Sequence, residues 1–417
     1  MTFSSWGERI RSGSGIGDLM DDLGSALAAD AAQMDMLGGG NPAIIPELAK
    51  RWRELMHIML VSETDRFDRM LGIYDTQQGN PHFCEAVAEL FNNAFGWGIT
   101  EENICITNGG QTAYYFLFNL LGGTAEDGNL RKILFPCSPE YIGYADQAIE
   151  ADCFLSIPSK IELIGEDRFK YHVDFDALPA DPTNIVAACL SRPTNPTANV
   201  LSDAELKRLH AWCHERDILL IIDNAYGTPF PNLVYNDAQP YWGEGVINTY
   251  SLSKLGLPGT RTGIVIGPPE IIEVLSSINA IAGLANGNIG QQLTLPLFEG
   301  GEILELCAQH AQPYYQSRTE KAVAATREAF QGIPHRIHLC EGAFFIWLWL
   351  PELKCGSAKV YEACKEAGVV VVPGHYFFYG LERPWDHADQ CLRLSYAMNI
   401  ENFPTAIRKV AEVVRGL

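Results

Sequence analysis

The sequence predicts an α/β protein, with a mostly parallel central sheet in a large domain and a smaller α/β domain formed by the two terminal segments. The chain has 417 residues and 47% hydrophobic composition, enough for a large core and about two domains. Short apolar segments bounded by Gly, Pro, Asn or Asp alternate with helical patterns. Uninterrupted apolar runs of this length are typical of parallel strands buried on both faces.

Five segments in the middle of the chain are predicted strands: NICIT (103–107), KILFP (132–136), NIVAACL (184–190), ILLIID (218–223) and GIVIG (263–267). A helix is predicted between the third and the fourth. There Ser202 and Glu205 have capping-box spacing, and Leu206, Leu209 and Cys213 follow at helical spacing. Several such strand–helix–strand units imply an open α/β sheet, which binds ligands at the C-terminal ends of its strands.

The same patterns divide the chain into three segments. Residues 1–45 are Gly-rich and irregular, and are predicted to form an N-terminal arm and part of a small domain. Residues 46–297 contain the strand–helix alternation and form the large domain. Residues 298–417 carry long helical patterns and two strand-like segments, AFFIWLWL and GVVVVPG, and are predicted to complete the small domain.

Composition excludes several classes of function. The chain has 30 Lys and Arg against 51 Asp and Glu, a formal net charge of -21, which argues against binding to nucleic acid or to anionic membranes. Its 11 cysteines include no C-x-x-C pair, so we expect reduced core thiols of a cytoplasmic protein and no metal site. Neither a signal peptide nor a membrane span of about 20 apolar residues is evident.

Polar groups follow the predicted strands. The turn after NICIT is Gly-rich and opens a helix, a setting that can bind an anion. Asp223 ends a strand, Tyr226 follows it three residues later, and SLSK, which contains Lys254, lies about 31 residues after the aspartate. Together, a carboxylate, a phenol and a lysine can hold a pyridine ring that carries an aldehyde. Taken singly, the Gly-rich helix start is more often only a turn, Asp223 more often caps a turn or helix, and the setting of Lys254 does not by itself establish a Schiff base.

The motifs NP (195–196), DNAY (223–226), SLSK (251–254) and RTG (261–263) occur in this order, with LGGGNPAIIPE before them and CLRLSYA after them. This set, which spans nearly the whole chain, resembles the fold-type I, class I aminotransferases. The resemblance implies a PLP-dependent transferase fold, pyridoxal 5'-phosphate (PLP) as cofactor and ping-pong transamination. The segments FPCSPEYIGYAD, SRPTNPTAN and VPGHYFF narrow the resemblance to a branch that uses valine and pyruvate.

The resemblance implies a role for each residue around the cofactor ring. Lys254 would be the Schiff-base lysine and the base that moves the substrate's Cα proton. Asp223 would pair with the pyridine nitrogen. Tyr226 and Asn195 would bond the phenolic oxygen, and Tyr141 would stack on the ring.

The resemblance also implies a phosphate site and a homodimer. The residues that would hold the phosphate are Gly110, Gln111, Ser251, Ser253 and Arg261. Arginine suits this role because its guanidinium matches phosphate oxygens in a bidentate way; a surface ion pair is the alternative for Arg261. Tyr74, in YDTQQG, would reach the phosphate of the neighbouring subunit, which implies shared active sites.

On the substrate side, Arg393 would clamp the α-carboxylate, with Gly40 and Asn195 beside it; without the resemblance, Arg393 would be interpreted as an ordinary arginine at a strand edge. No second arginine for a dicarboxylate is obvious. Ile16, in the arm, either lies over the substrate pocket or packs only within the arm. A small apolar pocket fits valine, alanine and 2-aminobutyrate, with pyruvate and 2-oxoisovalerate as 2-oxo acids.

Two residues depart from the family pattern. Ala198 stands where Gly is usual after NPT, and Gly110 stands where a small hydroxyl residue is common. Both departures concern fine positioning.

Two alternatives stay open. A carbon–sulfur β-lyase of the same fold, or an aminotransferase with another amino-acid preference, would use the same lysine, aspartate and arginines. A PLP-binding regulatory module would need a basic winged-helix segment, and the first 45 residues are too short and too Gly-rich for one.

Overall fold

The computed structural model describes residues 2–17, 19–20, 34–398 and 400–417. The α-helices are α1 (Ser5–Arg11), α2 (Pro46–Ser62), α3 (Thr64–Gly72), α4 (Pro81–Phe95), α5 (Gly110–Leu121), α6 (Asp203–His214), α7 (Pro269–Gly283), α8 (Ile289–Glu299), α9 (Glu302–Leu306), α10 (Gln312–Ala329), α11 (Ser357–Glu366) and α12 (Phe403–Gly416). Short 3₁₀ turns, including Leu252–Leu255 and Gly374–Phe377, lie between them.

The β-strands are β1 (Asp35–Met36), β2 (Ile104–Thr107), β3 (Gly123–Thr124), β4 (Leu130–Ser138), β5 (Phe154–Pro158), β6 (Lys160–Ile164), β7 (Arg168–His172), β8 (Ile185–Ser191), β9 (Leu219–Asp223), β10 (Val246–Ser251), β11 (Gly263–Ile266), β12 (Arg336–His338), β13 (Phe345–Trp349), β14 (Val369–Val370), β15 (Val372–Pro373) and β16 (Cys391–Ser395). The mixture of helices and strands confirms the predicted α/β class.

The chain forms two compact units, each built from separated segments. The first, here called the Lys254 unit, comprises Pro42–Leu120 and Ser202–Tyr314. The second, here called the Arg393 unit, comprises Met1–Asn41, Leu121–Leu201 and Tyr315–Leu417. The predicted domain boundaries at residues 46 and 298 stay a prediction, because compactness alone does not identify a cofactor-binding domain.

In the Lys254 unit, four strands lie in the order β2, β11, β10, β9. Strand β10 runs parallel to β9, whereas β11 runs antiparallel to both β10 and β2. All residues of β2, β10 and β11 are buried, as the apolar runs of β2 and β11 predict. Helix α5 is fixed against the sheet by Tyr114, whose hydroxyl lies 2.6 Å from Thr249 Oγ1.

In the Arg393 unit, β4 runs parallel to β5 and β8 and antiparallel to β3. A six-stranded sheet has the order β15, β16, β13, β12, β7, β6. Strand β16 is antiparallel to both of its neighbours, β13 and β15. Strand β1 pairs in parallel with β14, and Ser395 N donates a 2.6 Å hydrogen bond to Leu37 O, so the chain that precedes Gly40 is held beside β16.

The predicted strands and the predicted capping box are confirmed. Ser202 caps α6, because its Oγ accepts from Glu205 N at 3.2 Å while Glu205 Oε2 accepts from Ser202 N at 3.2 Å. The segment GVVVVPG forms two short strands, β14 and β15, instead of one. All 11 cysteines are described and none forms a disulfide, as predicted. No helix among the described residues is long and apolar enough to cross a membrane.

Candidate active site

Strand register brings polar residues to one level of the sheet in the Lys254 unit. Ser251 at the end of β10 is paired with Gly263, and Gly263 is paired with Thr107 at the end of β2. In the parallel pair of β10 and β9, Thr249 is the partner of Asp223. The segments that follow β2, β9 and β10 therefore leave the sheet at neighbouring positions, as the sequence predicts for ligand-binding strand ends.

A cradle of glycines and one arginine follows β2. Gly109 has a φ of +85°, and a Cβ there would lie 2.3 Å from Arg261 Nη2. A Cβ at Gly263 would lie 2.6 Å from the carbonyl carbon of Gly109 and 2.8 Å from Gly110 N. Arg261 Nη2 donates a 3.3 Å hydrogen bond to Asn108 O. Only glycine at positions 109 and 263 leaves room for the arginine and the turn to approach this closely.

Hydrogen-bond donors surround this cradle. Helix α5 begins at Gly110, and its first turn, which includes the exposed Gln111, presents backbone N–H groups that carry the positive end of the helix dipole. Ser251 Oγ donates a 3.0 Å hydrogen bond to Ser253 Oγ and accepts one of 3.1 Å from Ser253 N. With Arg261, this donor set is suited to a phosphate group.

Lys254 lies in the 3₁₀ turn Leu252–Leu255, directly after β10. Its Nζ is 5.4 Å from the centroid of the Tyr226 ring, so the lysine and the phenol predicted to act together are neighbours. Asp223 is 9% exposed, and its Oδ1 accepts a 2.7 Å hydrogen bond from Ala225 N. The carboxylate thus has a fixed orientation at the end of β9. Asp223 does cap a turn, so its capping and functional interpretations are compatible.

Tyr74 stands apart from the other predicted residues of the Lys254 unit. It follows α3, and 81% of its surface is exposed. A single exposed aromatic side chain is common on protein surfaces, so the exposure of Tyr74 agrees with its predicted role without establishing it.

In the Arg393 unit, Arg393 is 2% exposed. Its Nη1 donates a 2.9 Å hydrogen bond to Asn195 Oδ1, and its Nη2 donates a 2.6 Å hydrogen bond to Gly38 O. The guanidinium carbon lies 4.7 Å from the ring centroid of Phe345 and 5.4 Å from that of Phe377. Two hydrogen bonds and two aromatic rings therefore fix this cation in place.

Sheet topology decides the interpretation of Arg393. Its Cα is paired with Trp347 on β13 and with Val372 on β15, so it lies on an internal strand of the six-stranded sheet. The interpretation of Arg393 as an ordinary strand-edge arginine is wrong. Burying an arginine costs free energy unless its N–H groups find acceptors, so a buried arginine indicates a binding role.

Tyr141 follows β4 and is half-buried, with its ring 5.1 Å from that of Tyr144 in an edge-to-face contact. A Cβ at Gly143 would lie 2.3 Å from Tyr141 Cε1, so glycine makes room for the tyrosine ring. Asn195 is 6% exposed. It lies in the segment of residues 192–200, here called the Asn195 loop, in which Ala198 has a φ of 61°.

The N-terminal arm lies against the same unit. Arg9 donates hydrogen bonds to the carbonyls of Ala148 and Ile149, the latter at 3.1 Å. A Cβ at Gly15 would lie 2.5 Å from Tyr376 Cδ1, so the arm packs closely on the turn that contains Phe377, a ring partner of Arg393. Ile16, the next residue, is half-buried. Gly40 is half-buried, and a Cβ there would meet no atom within 4 Å.

Some residues around these groups are not evident from sequence reasoning. Phe345 and Phe377 belong to apolar runs that predict only core packing. Glu140 is 2% exposed and sits immediately before Tyr141. A signal for Glu140 does exist, because a carboxylate directly after a buried strand in SPEY is unusual unless it is bonded. Gly109 differs from its neighbour Gly110 by its positive φ and by the close approach of Arg261, and the sequence displays neither.

The pattern of the family "Aminotransferase class I and II" matches residues 36–410 of this chain. The chain belongs to this family. An Escherichia coli (strain K12) aminotransferase named valine–pyruvate aminotransferase is 41% identical over 415 residues, covering 99% of this chain and 98% of the relative. The resemblance inferred from the motifs is confirmed.

Solved structures of family members are similar along the whole chain. A putative amino-acid aminotransferase from Psychrobacter arcticum 273-4 has a TM-score of 0.95 at 39% identity, covering 100% of this chain and 99% of that one. Valine-pyruvate aminotransferase from Salmonella typhimurium LT2 has a TM-score of 0.87 at 39% identity, and the match covers 96% of this chain and 98% of that one. An aspartate aminotransferase of Thermus thermophilus, at 23% identity and a TM-score of 0.77, shares the fold. The predicted fold-type I architecture is confirmed.

Class I aminotransferases are PLP-dependent enzymes, and PLP is the cofactor of this family member. The residues of the Lys254 unit fit its chemical groups. The donors around Gly109, Ser251 and Arg261 suit the phosphate, Lys254 supplies an amine for the aldehyde, and Asp223 supplies a buried carboxylate for the ring nitrogen. Among the described residues, no group of His, Cys, Asp or Glu side chains could hold a metal ion.

Proposed function

We propose that this aminotransferase moves an amino group between valine and pyruvate, with alanine and 2-aminobutyrate as further amino acids and 2-oxoisovalerate as a further 2-oxo acid. The observation that carries the proposal is the Arg393 guanidinium, which is buried among Phe345, Phe377 and Asn195. One fixed cation with apolar rings suits a single α-carboxylate on an amino acid with a small apolar side chain. The names of the Escherichia coli and Salmonella relatives support this choice.

The roles of the cofactor-binding residues follow from their chemistry. We assign the phosphate to Gly110, Gln111, Ser251, Ser253 and Arg261. We assign the pyridine nitrogen to Asp223, because a buried carboxylate keeps that nitrogen protonated through a charge-assisted hydrogen bond. Tyr226 and Asn195 are assigned as partners of the ring's phenolic oxygen, and Tyr141 as the residue that stacks on the ring.

When bound, PLP supplies an electron sink for the negative charge that remains when the substrate's Cα loses its proton. Lys254 Nζ, as a neutral amine, takes that proton. Arg393 holds the α-carboxylate in a fork, with Gly40 and Asn195 beside it, and so limits rotation of the substrate about Cα. Because the amino group is held by the enzyme between the two half-reactions, steady-state kinetics should be ping-pong.

We assign Ile16 to the substrate's side chain. The arm that carries it packs on Tyr376 and is anchored by Arg9, so Ile16 has a fixed position next to the turn that includes Phe377. Apolar contacts of this kind discriminate by only about 1–3 kcal/mol per methylene group. The enzyme should therefore accept several small amino acids.

We further propose a homodimer in which Tyr74 reaches the phosphate of the neighbouring subunit. Large apolar side chains of the Lys254 unit support it, because many are exposed in the single chain: Ile44, Leu60, Val61, Leu71, Ile73, Ile281 and Leu284. Exposed apolar surface of this extent is typical of an interface. We assign the enzyme to the cytoplasm, where thiols stay reduced, because its cysteines are free and most of them are buried.

The substrate assignment is tested with two reactions. The purified holoenzyme is given valine and pyruvate, and separately cystathionine alone. Alanine and 2-oxoisovalerate are the expected products of the first, and no product is expected from the second. Pyruvate and ammonia from cystathionine would instead identify a carbon–sulfur β-lyase.

The Lys254→Ala variant should lose both the transfer of the amino group and the visible absorbance of the bound cofactor. Full activity in that variant would overturn the role of Lys254.

Shared active sites are tested by mixing two inactive subunits. Lys254→Ala and Tyr74→Ala subunits are dissociated and reassembled together, and transfer from valine to pyruvate is assayed. In each hybrid dimer, one site would combine the native Lys254 of one subunit with the native Tyr74 of the other. Random assembly then predicts about a quarter of the wild-type activity, since half of the dimers are hybrids with one native site each. No recovery of activity would contradict shared sites.

A further inference from the structure

Glu140 lies just after β4, which ends at Ser138, in the turn that leads to Tyr141. It is 2% exposed, and its backbone N–H donates a 3.0 Å hydrogen bond to Phe377 O. A carboxylate this deeply buried is costly unless donors surround it. Its function therefore depends on which groups donate to it.

The Glu140 carboxylate accepts hydrogen bonds chiefly from the end of the neighbouring strand. Ser191, the last residue of β8, donates its backbone N–H to Glu140 Oε1 at 2.8 Å and its hydroxyl to Oε2. Tyr141 N donates to Oε2 at 3.3 Å. Strands β4 and β8 are parallel neighbours. The carboxylate thus connects the two strand ends on the side from which their ligand-binding turns leave.

From Ser191, hydrogen bonds continue to the substrate-binding arginine. Thr194 Oγ1 donates a 2.8 Å hydrogen bond to Ser191 O, and Asn195, the next residue, accepts from Arg393. The far end of the Asn195 loop is fixed by other groups, because Asn199 Nδ2 donates to Tyr171 O at 3.2 Å and Val200 N donates to Glu341 Oε2 at 3.2 Å. Thr194 N donates to Asn199 O at 2.9 Å and joins the two ends of the loop. The Glu140 carboxylate is thus the anchor at the near end.

The donors around Glu140 suit an ionised carboxylate, because Ser191 N, Ser191 Oγ and Tyr141 N all donate to its two oxygens and the ionised form only accepts. An ionised carboxylate accepts hydrogen bonds about twice as strong as a neutral acceptor does. This strengthens the connection to Ser191.

We propose that Glu140 is a positioning residue for transamination, which holds Ser191 and through it sets the position of Asn195 against the cofactor ring and Arg393. The inference rests on the proposed function, because the contact of Asn195 with the phenolic oxygen of the ring is part of that function. Glu140 acts through Asn195 and touches neither substrate nor cofactor in this assignment.

Glu140→Gln is the main test, because it keeps the shape of the side chain and replaces one acceptor oxygen with a donor. Glu150→Gln is the matched control: Glu150 is exposed in the same unit and likewise accepts from the backbone N–H and the hydroxyl of one residue, Thr124. Each holoenzyme is titrated with pH while the visible absorbance of the bound cofactor is recorded, and kcat and KM are measured with valine and pyruvate. Asn195→Ala and the double variant Glu140→Gln/Asn195→Ala complete a cycle.

We expect Glu140→Gln to raise the midpoint pH of the absorbance change, because a loosened Asn195 stabilises the ionised phenolic oxygen less well. Its kcat/KM should fall roughly tenfold, as for a small misplacement of a positioning group. Adding Glu140→Gln to Asn195→Ala should change neither quantity further. Ser191→Ala, which removes only the hydroxyl donor, should give a smaller shift in the same direction, and it tests the inference even if Glu140→Gln does not fold.

Three results would overturn the inference. In the first, Glu140→Gln has the same midpoint pH and kcat/KM as Glu150→Gln. In the second, the effects of Glu140→Gln add fully to those of Asn195→Ala in the double variant, and in the third, Ser191→Ala has the midpoint pH and kcat/KM of wild type. Failure of the proposed function is a different result. In that case wild type and Glu150→Gln would themselves fail to transfer an amino group from valine to pyruvate.

Discussion

Arg393 Nη1 donates a 2.9 Å hydrogen bond to Asn195 Oδ1, so the residue assigned to the substrate's carboxylate and a residue assigned to the cofactor's ring are directly bonded. Arginine has only donors, so it fixes Asn195 with its amide oxygen toward the guanidinium. The amide nitrogen of Asn195 is a donor, which is the polarity that a ring oxygen requires. Under these assignments, one hydrogen bond couples the proposed carboxylate-binding residue to the orientation of a proposed cofactor ligand.

Arg393→Lys should lower kcat/KM for every amino acid by roughly 100-fold, because lysine keeps the charge but lacks the planar fork that holds both a carboxylate and Asn195. Valine, alanine and 2-aminobutyrate, each with a 2-oxo acid acceptor, are compared in steady-state assays. All three should lose activity to a similar extent, since they share the α-carboxylate. A defect confined to valine would place Arg393 in the side-chain pocket instead.

Much of the fold can be predicted from local sequence. The five buried strands and the capped helix α6 are all found where their patterns place them, because apolar runs and capping boxes are local signals. Strand direction is not local. GIVI forms β11 antiparallel to both neighbours, although its apolar run is indistinguishable from those of parallel strands. Strand β6, which is only partly buried, lacks an apolar run and was not predicted.

Residues of the candidate site can be predicted from sequence when their residue type alone indicates a chemical role. Lys254 and Asp223 stand out because a lysine follows one buried strand and an aspartate ends another. Arg261 stands out because it lies among small residues in GTRTG. Phe377 could not be assigned in this way. The position of Glu140 after a buried strand indicates only that its carboxylate is bonded, and its partners are set by what the fold places beside it. Phe377 belongs to an apolar run, and only the structure shows that Arg393 lies 5.4 Å from its ring.

Gly109 and Gly110 should respond oppositely to an added side chain. Gly109→Ala forces a Cβ into a backbone with φ +85° and to 2.3 Å from Arg261 Nη2, so the arginine must move. PLP should dissociate roughly ten- to hundredfold more readily, the effect of a lost hydrogen bond to a charged group. Gly110→Ser places its Cβ in open space and adds a hydroxyl at the start of α5, so it should bind PLP at least as tightly as wild type. Dissociation constants come from titrating the apoenzyme with PLP, and weaker binding by Gly110→Ser would contradict this account.

Ala198 should tolerate glycine but not valine. Its φ of 61° costs an alanine about 1–2 kcal/mol, which Ala198→Gly would relieve. The loss of a buried methyl group, about 0.8 kcal/mol, and the greater freedom of glycine in the unfolded chain, about 0.4–1 kcal/mol, offset that gain. Urea unfolding should therefore give nearly equal stabilities for Ala198→Gly and wild type. Ala198→Val should lose more than about 2 kcal/mol, because a β-branched residue is strained at positive φ and overfills a fully buried position.

Two buried histidines should make the enzyme sensitive to acid. His338 Nδ1 donates a 2.7 Å hydrogen bond to Leu339 O, and its Nε2 accepts from Tyr171 N at 3.1 Å. His387 Nε2 accepts a 2.5 Å hydrogen bond from the Tyr171 hydroxyl, which in turn accepts from Trp347 Nε1 at 2.9 Å. Burial lowers the pKa of each histidine to about 3. Both are therefore neutral in the folded enzyme throughout the range in which exposed histidines become charged.

An unfolded chain titrates these histidines near pH 6.5, so between about pH 6.5 and pH 3 the unfolded state binds protons that the folded state does not. Their contribution to stability is complete above about pH 6.5 and is lost as the pH falls through that window. At about pH 5, each histidine should lower the free energy of unfolding by about 2 kcal/mol relative to about pH 7.5. His387→Gln keeps an acceptor for the Tyr171 hydroxyl and does not titrate, so urea unfolding at the two pH values should show a loss about 2 kcal/mol smaller than in wild type. His82 is exposed on α4, and the control variant His82→Gln should lose as much free energy of unfolding between the two pH values as wild type does. If His387→Gln lost as much as wild type, His387 would not be the group that titrates.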